Sequence, residues 1–420
     1  MSQKKICVIG LGYIGLPTAA MFASRGHEVV GVDVNPGVVE SLNAGYAHFD
    51  EPELGMLMEA AARTSRFRAT LAPQESADVY ILAVPTPFSD GNKPDMSYVD
   101  AATDSITPLL KADDIVILES TSPVGTTERI CDRIRGVRPD LRVPRLKEAG
   151  SPGQLRVAHC PERVLPGQMI RELVSNDRVI GGVSETCAQE ARTVYESFVK
   201  GQTFLTDCRT AEFVKLIENS YRDVNIAFAN ELSMICDHLD LNVWETINLA
   251  NKHPRVSILR PGPGVGGHCI AVDPWFVIDS APDQSRLIRQ SREVNLDKTQ
   301  YVIQKVEKAA SRFREPIILC LGLTYKNDVE DLRESPALEI VEHLAADPNQ
   351  RLLVCDPLVE ALPPGLAGRA NVSLVELSQA RAEADIVVCL VGHRAFQRLD
   401  PKLFFNKVVI DTIGLIHGRN

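Results

Sequence analysis

Short apolar runs, each followed by a polar or glycine-rich cluster and then by a stretch of helical periodicity, recur along this chain. The first is K-I-C-V-I at residues 5–9, and E-V-V-G-V before Asp33, V-Y-I-L-A-V at 79–84 and I-V-I-L-E-S at 115–120 continue the series. Shorter segments beginning at Val157, Arg178 and Gln202 close it. Such runs alternating with helical stretches predict a parallel sheet with ligands at the carboxyl ends of its strands. A second series, with I-I-L-C-L from Ile317, L-L-V-C from Leu352, I-V-V-C-L-V from Ile386 and V-V-I-D from Val408, predicts another sheet of the same kind. Between the two series the texture changes. From Arg209 onward, T-A-E-F-V-K-L-I-E-N-S-Y-R-D-V-N-I-A-F-A-N-E-L reads as one long helix, with Phe213, Leu216, Ile217, Val224 and Phe228 as its apolar stripe. Helical periodicity returns from residue 295 to about 313. The expected fold is α/β: two Rossmann-like parallel-sheet domains joined by a central helical domain with a long bridging helix. The boundaries fall at 1–206, 207–312 and 313–420.

A chain of 420 residues, 45% hydrophobic and 24% charged, has ample length for several cores. Its formal charge of −10 argues against a nucleic-acid partner, although an anionic substrate would need a local basic pocket. Ten cysteines without a C-x-x-C pair fit a reduced, cytoplasmic protein. Lys4 and Lys5 before an apolar run imitate a signal peptide, but Gly10, Gly12, Gly15 and Pro17 interrupt that run and have a better explanation. No apolar run reaches membrane-spanning length, so no membrane association is expected.

That better explanation is G10-L-G12-Y-I-G15 between a strand and an apolar helix, the order a dinucleotide site requires. Gly10 permits the turn, Gly12 admits a pyrophosphate, and Gly15 lets helix and strand pack, while helix amides receive the phosphate charge. Asp33, eighteen residues after Gly15, ends the second strand where a carboxylate would hold a ribose diol and repel a ribose phosphate, favouring NAD over NADP. The loops after the next two strands carry P85-T86-P87 and E119-S-T-S-P-V-G-T-T; Thr121 there is a candidate for binding cofactor or water, with plain helix capping as the alternative. Glu162 and Arg163 follow another strand, as a proton-handling carboxylate and an anion grip or as a surface ion pair. Lys215, Asn219 and Arg222 share a face of the long helix, which makes either an oxyanion cradle or a solvated face.

The stretch R-P-G-P-G-V-G-G-H-C-I-A-V-D-P, from Arg260 to Pro274, is too glycine-rich for helix or strand and lets its backbone approach a ligand. Cys269 at its end is a candidate nucleophile toward a carbonyl; a buried structural cysteine is the plainer alternative. His253 and Arg255 lie shortly before it, and Lys326 and Arg333 follow a strand end suited to phosphates.

Together, G-L-G-Y-I-G-L-P, V-P-T-P-F, E-S-T-S-P-V-G, C-P-E-R-V-L-P-G, the long helix, H-P-R-V, the cysteine loop and D-L-R-E-S-P-A resemble the UDP-glucose/GDP-mannose dehydrogenase family over essentially the whole chain. The resemblance implies NAD-dependent, four-electron oxidation of a UDP-sugar at C6 through a cysteine-bound intermediate, supplying acidic sugars for surface polysaccharide. It implies Cys269 as nucleophile, Lys215 as proton acceptor, Glu162 as the group that activates water, Asn219 and Asp273 as supporting polar groups, and Thr121 nearby. Gly10, Gly12, Tyr13, Ile14, Gly15, Asp33, Thr86, Thr121 and Thr126 are then expected at NAD. Arg163, Val164, Lys215, Asn219, Arg222, His253, Arg255, Gly266, Tyr325, Lys326 and Arg333 are expected at the UDP-sugar. The family also implies a homodimer, with Arg255 and His253 reaching a neighbouring subunit's site, and no metal. The C-terminal I-G-L-I-H-G-R-N departs from the family pattern, so Arg419 is given no role.

Overall fold

The buried strands of the sequence become two sheets, each in its own compact unit, Met1–Ile217 and Glu218–Asn420. The structure, a computed structural model, describes residues 3–89 and 91–418; Arg419 lies outside them. In the first unit the strands are β1 (Lys5–Ile9), β2 (Glu28–Val32), β3 (Phe67–Thr70), β4 (Val79–Leu82), the two-residue hairpin strands β5 (Phe88–Ser89) and β6 (Lys93–Pro94), β7 (Ile115–Leu118), β8 (Arg156–His159), β9 (Arg178–Gly182) and β10 (Thr203–Asp207). Eight of these form one sheet in the order β10-β9-β8-β7-β4-β1-β2-β3. Alternation along β1 explains why its run is continuously apolar: Ile6 and Val8 enter the core on one face, Cys7 and Ile9 the core on the other. Pairing is parallel except between β8 and β9, which meet antiparallel at Ala158 with Gly182 and His159 with Gly181.

The second unit contains β11 (Ile317–Leu321), β12 (Arg351–Cys355), β13 (Val372–Leu374), β14 (Ile386–Cys389) and β15 (Val408–Asp411), all parallel, in the order β13-β12-β11-β14-β15. This repeats the order β3-β2-β1-β4-β7 of the first sheet. The strand β3 and the edge strand β13 went unread in the sequence, because F-R-A-T and V-S-L carry too few apolar residues to stand out.

The long helix is real, Cys208–His238, 31 residues. Its expected apolar stripe is not its buried face. Leu216 is buried, but Phe213, Ile217 and Phe228 are 43%, 39% and 51% exposed. The buried side carries Glu212, Asn219, Ser220, Asp223, Asn230 and Ser233 instead. Polar groups can occupy a core only when partnered, and here they are. Glu212 accepts from the Gly125 and Thr127 amides and the Thr127 hydroxyl, at 2.6–2.7 Å. Farther along, the helix Arg286–Ala310 supplies Arg292 and Asn295 to Asp223, Asn295 to Asn230, and Lys298 to Ser233.

Candidate active site

The turn after β1 is built as its glycines require. Gly10 has φ +90°, its amide donates to Val32 O at 2.8 Å, and a Cβ there would stand 2.5 Å from Ala83 O. A Cβ on Gly15 would run into the Gly10 carbonyl, which is why the helix Gly15–Ser24 can start so close to the strand. Gly12 differs: a Cβ there would meet nothing within 4 Å, so its bare backbone serves open space rather than packing. Asp33 Oδ2 accepts from the Leu11 amide at 3.0 Å and Oδ1 from Asn35 at 2.9 Å, which holds the carboxylate at the rim of that space. Open backbone at Gly12 and a fixed acid beside it fit a dinucleotide. Tyr13 lies beside Gly12, 43% exposed, with its ring centroid 4.5 Å from that of Phe49, and Ile14 is the residue before the helix.

Two loops at the carboxyl ends of β4 and β7 are tied together. Thr86 donates to Thr121 O at 2.7 Å, and Ser120 donates to Val84 O at 2.7 Å. Thr126 is buried and donates to Pro123 O at 2.7 Å, so its hydroxyl proton is used in the loop's own turn. Glu162 follows β8 and is buried, with Oε1 accepting from the Arg163 amide at 2.7 Å and Oε2 from Arg178 at 3.0 Å. Arg163 reaches Asp177 O at 3.3 Å, and Val164 packs against the core. Glu162 and Arg178 form an ion pair with both side chains nearly inaccessible.

In the second unit the glycine loop is pinned at both ends to one helix. Asn230 Oδ1 accepts from the Gly262 amide at 2.8 Å, and Asn219 Nδ2 donates to Asp273 Oδ2 at 2.5 Å. Thr299 adds a bond to Pro263 O at 3.1 Å. Between these anchors the loop lies against the turn that follows β11. The Gly267 amide donates to Arg333 O at 3.1 Å, a Cβ on Gly267 would stand 2.7 Å from the Tyr325 ring, and one on Gly266 would collide with Glu334 O. The loop ends at Cys269, whose carbonyl accepts from Val272 and Asp273 at 3.1 and 2.8 Å and so opens the helix Asp273–Ser280. Among the described residues nine of the ten cysteines are buried, and Cys269 is the exception. Burial pushes Cys7, Cys160, Cys208 and Cys320 up to about 12, which makes them inert.

Arg333 forks onto Asp331, from Nη2 at 2.7 Å, and His268 Nδ1 stands 4.0 Å from the same carboxylate. Burial pushes Asp331 up, but the bonds from Arg333 outweigh it and hold the carboxyl below its usual range. Lys326 and Arg222 are exposed, and Lys215 is half-buried. His253 and Arg255 occupy an exposed turn, where the Arg255 amide donates to His253 Nδ1 at 3.3 Å. Among the described residues no three His, Cys, Asp or Glu side chains gather as a metal would need, and no helix is long and apolar enough to cross a membrane.

The second sheet opens on a related turn, without two of the glycines of the first: Thr324 and Asn327 stand where the first turn has Gly12 and Gly15. Gly322 has φ +97° and donates to Cys355 O at 2.9 Å; Asp356 accepts from Leu323 at 2.6 Å and from Leu358 at 2.9 Å, bond for bond as Asp33 does. Here the carboxylate is buried and met by His393 Nε2 at 3.2 Å. His393 Nδ1 accepts from the Asp328 amide, which leaves Nε2 as the nitrogen that donates. Burial alone would raise Asp356, but His393 and the two amides hold it low.

An open dinucleotide turn, a related turn in the second sheet and an accessible cysteine on a glycine loop define an NAD-dependent dehydrogenase with a second nucleotide-type domain. The chain belongs to the UDP-glucose/GDP-mannose dehydrogenase family: residues 4–199 match its NAD binding domain, 209–297 its central domain and 319–418 its UDP binding domain. It is 54% identical to the NDP-N-acetyl-D-galactosaminuronic acid dehydrogenase of Ralstonia nicotianae, covering 98% of this chain and 96% of that one. It is 52% identical to the UDP-N-acetyl-D-mannosamine dehydrogenase of Campylobacter jejuni, over 94% and 96% of the two chains. Its fold superposes on the UDP-N-acetyl-mannosamine dehydrogenase of Staphylococcus aureus with a TM-score of 0.84 at 40% identity, covering 99% of this chain and 96% of that one.

Sequence reasoning missed Glu119, Arg178, Asp356 and His393. The available signals were a charged residue closing the apolar run I-V-I-L-E and another opening R-V-I-G-G. Charge at a strand end reads as solvated until tertiary structure covers it.

Proposed function

We propose that this protein oxidises UDP-N-acetyl-D-mannosamine at C6 to UDP-N-acetyl-D-mannosaminuronate, with two NAD consumed per sugar, as a precursor of surface polysaccharide. The observation that carries the reading is the accessible Cys269 on a loop whose glycines face Tyr325 and Arg333. Gly12, Tyr13, Ile14, Asp33, Thr86, Thr121 and Thr126 would hold NAD, which would supply the oxidant by accepting hydride. Lys215, or a water it orders, takes the O6 proton as C6 becomes an aldehyde. The Cys269 sulfur then bonds to C6 and its proton passes to the new oxygen, giving a thiohemiacetal. Loss of hydride from C6 and of the hydroxyl proton leaves a thioester. Water, losing a proton to Glu162, adds at C6; the C–S bond breaks, and carboxylate and thiol remain. Lys215 and Asn219 stabilise the oxyanions, and Asp273 fixes the Asn219 amide by the bond described above. An ordinary thiol of pKa ~8.5 is only a few per cent ionised at pH 7, so a cation brought beside Cys269 would speed its attack.

The UDP-sugar is assigned to Arg163, Val164, Lys215, Asn219, Arg222, His253, Arg255, Gly266, Tyr325, Lys326 and Arg333. We divide the chain functionally into an NAD-binding part (1–206), a central part with the cysteine loop (207–312) and a UDP-sugar part (313–420). A homodimer is supported by the exposed apolar line Phe213, Ile217, Tyr221 and Phe228 on the Cys208–His238 helix. The free cysteines and the need for NAD fit the cytoplasm.

Relatives named for an N-acetyl-D-galactosaminuronic acid product favour a second reading, the same chemistry on an N-acetylgalactosamine nucleotide. Counting NADH released per mole of sugar nucleotide decides between them. Two NADH from UDP-N-acetylmannosamine, and none from UDP-N-acetylgalactosamine, UDP-N-acetylglucosamine or UDP-glucose, is the expected result. Two from another sugar keeps the chemistry and overturns the substrate, and one or none from all four overturns the role of Cys269.

A further inference from the structure

Behind Glu162, in the core of the first unit, lie a second carboxylate and a guanidinium that the reaction just described does not use. Glu119, the residue after β7, is 1% exposed. Its Oε1 accepts from the Tyr195 hydroxyl at 2.6 Å and its Oε2 from Thr18 on the cofactor-side helix at 3.2 Å. Arg178, which opens β9, is 4% exposed; it holds Glu162 Oε2 and leans on Cys160 Sγ at 3.6 Å. Its guanidinium carbon lies 4.7 Å from the centroid of the Tyr195 ring, the ring whose hydroxyl binds Glu119. Its buried Nε has no hydrogen-bond partner among the described residues. An arginine with donors to spare, buried with two carboxylates and bonded to one, is not there for packing alone, because an ion left without a matching charge in a core is costly.

We infer that Arg178 and Glu119 are positioning residues for the hydrolytic half of the reaction. Arg178 fixes Glu162, and the ionisation of Glu119 sets how much of the guanidinium's charge Glu162 must share. Among the described residues the titratable and hydroxyl groups that act on Glu119 are Thr18, Tyr195, Glu162, Cys160 and Arg178. Burial first, and then the neighbouring Glu162, push Glu119 up to about 7, whereas Arg178 pulls it down. Below that point a neutral Glu119 leaves the guanidinium to Glu162. Above it an ionised Glu119 draws on the same cation, and a carboxylate with less cation upon it is the better proton acceptor. Glu162 therefore takes the proton of the attacking water more readily once Glu119 is charged. The two hydride steps do not involve this group.

The inference rests on the thioester reading above, and single-turnover kinetics separate the two. Wild-type enzyme, Glu119→Gln and Arg178→Lys are mixed with UDP-N-acetylmannosamine and NAD from pH 6 to 8.5. NADH is followed by absorbance, and the sugar carried on Cys269 by mass spectrometry of the quenched protein. Glutamine keeps the size of Glu119 and an acceptor for Tyr195. Both variants are expected to release two NADH at the wild-type rate; Arg178→Lys then accumulates the thioester at every pH, and Glu119→Gln only toward pH 8.5. In Glu119→Gln hydrolysis matches wild type at pH 6 and falls about tenfold behind at pH 8.5, a gap that a general loss of structure would not make pH-dependent. In Arg178→Lys hydrolysis is slow at every pH. A constant ratio of Glu119→Gln to wild type across the range, or hydride steps slowed as much as hydrolysis, overturns the inference while leaving the thioester reading intact. One NADH per sugar from the wild type, with no sugar on Cys269 in Arg178→Lys at any pH, overturns both.

Discussion

At the scale of single residues, the cysteine loop leaves no room for a methyl group. A Cβ on Gly266 would meet Glu334 O, with Pro336 Cδ at 2.8 Å and Tyr325 Cβ at 2.9 Å, so a carbonyl that cannot move opposes it. Gly266→Ala is expected to cost ~1–3 kcal/mol of stability, read as a lower urea midpoint, and to weaken UDP-sugar binding measured by calorimetry. Cys269→Ser is the complementary test. It keeps the shape of the loop and exchanges a thiol for a far weaker nucleophile, so sugar binding is retained while carboxylate formation falls by about three orders of magnitude, or ~4 kcal/mol in the barrier. The dinucleotide turn could be read from sequence because Gly10, Gly12, Gly15 and Asp33 act through local backbone geometry. Glu119 and Arg178 could not, because their meaning depends on Tyr195 and Glu162, which are brought to them only by the completed sheet.

At the scale of elements, the helices Cys208–His238 and Arg286–Ala310 are joined by a polar ladder. Asp223 and Arg292 are almost wholly inaccessible, and their bond is 2.7 Å. Asp223→Ala strands a guanidinium in the core and is expected to cost ~3–5 kcal/mol in denaturant unfolding, whereas Asp223→Leu combined with Arg292→Met should recover most of it. One rung farther, burial pulls Lys298 down from 10.5 to about 8, with its ammonium on Ser233 at 2.7 Å. The folded value is the lower one, so at pH 7 a charged lysine is held in both states and burial works against the fold, by on the order of 3 kcal/mol. Between pH 8 and 10.5 the folded protein gives up that proton first and the penalty disappears. Lys298→Met is therefore expected to be more stable than wild type at pH 7, by an amount that shrinks as pH rises through this window; urea titrations at pH 7 and 9.5 measure it. This ladder is also why the apolar stripe misled. Helical periodicity locates a helix by its repeat, but it assigns the core to the apolar side, and here the core side is polar and paired.

At the scale of the whole molecule, the apolar side of the same helix is what remains uncovered. Tyr221 is 71% exposed and Phe228 51%, one on either side of the partnered Asp223. If the homodimer proposed above is built on this line, Tyr221→Asp with Phe228→Asp converts it to monomers in sedimentation velocity, at little cost to the fold of a chain in which neither side chain is buried. A variant that still sediments as a dimer would place the interface elsewhere. The related turn reaches further. Two half-sheets of the same strand order carry differently used acids: Asp33 accepts from the Leu11 and Asn35 amides, while Asp356 accepts from backbone amides and from His393 as well. A molecule that must load a redox nucleotide and a sugar nucleotide together faces mistaken identity, since both ligands bring a ribose and a diphosphate. With Asp356 bonded from within by His393, the acid that would greet a ribose at the second turn is spent on the fold, and the two turns present different chemistry to their ligands.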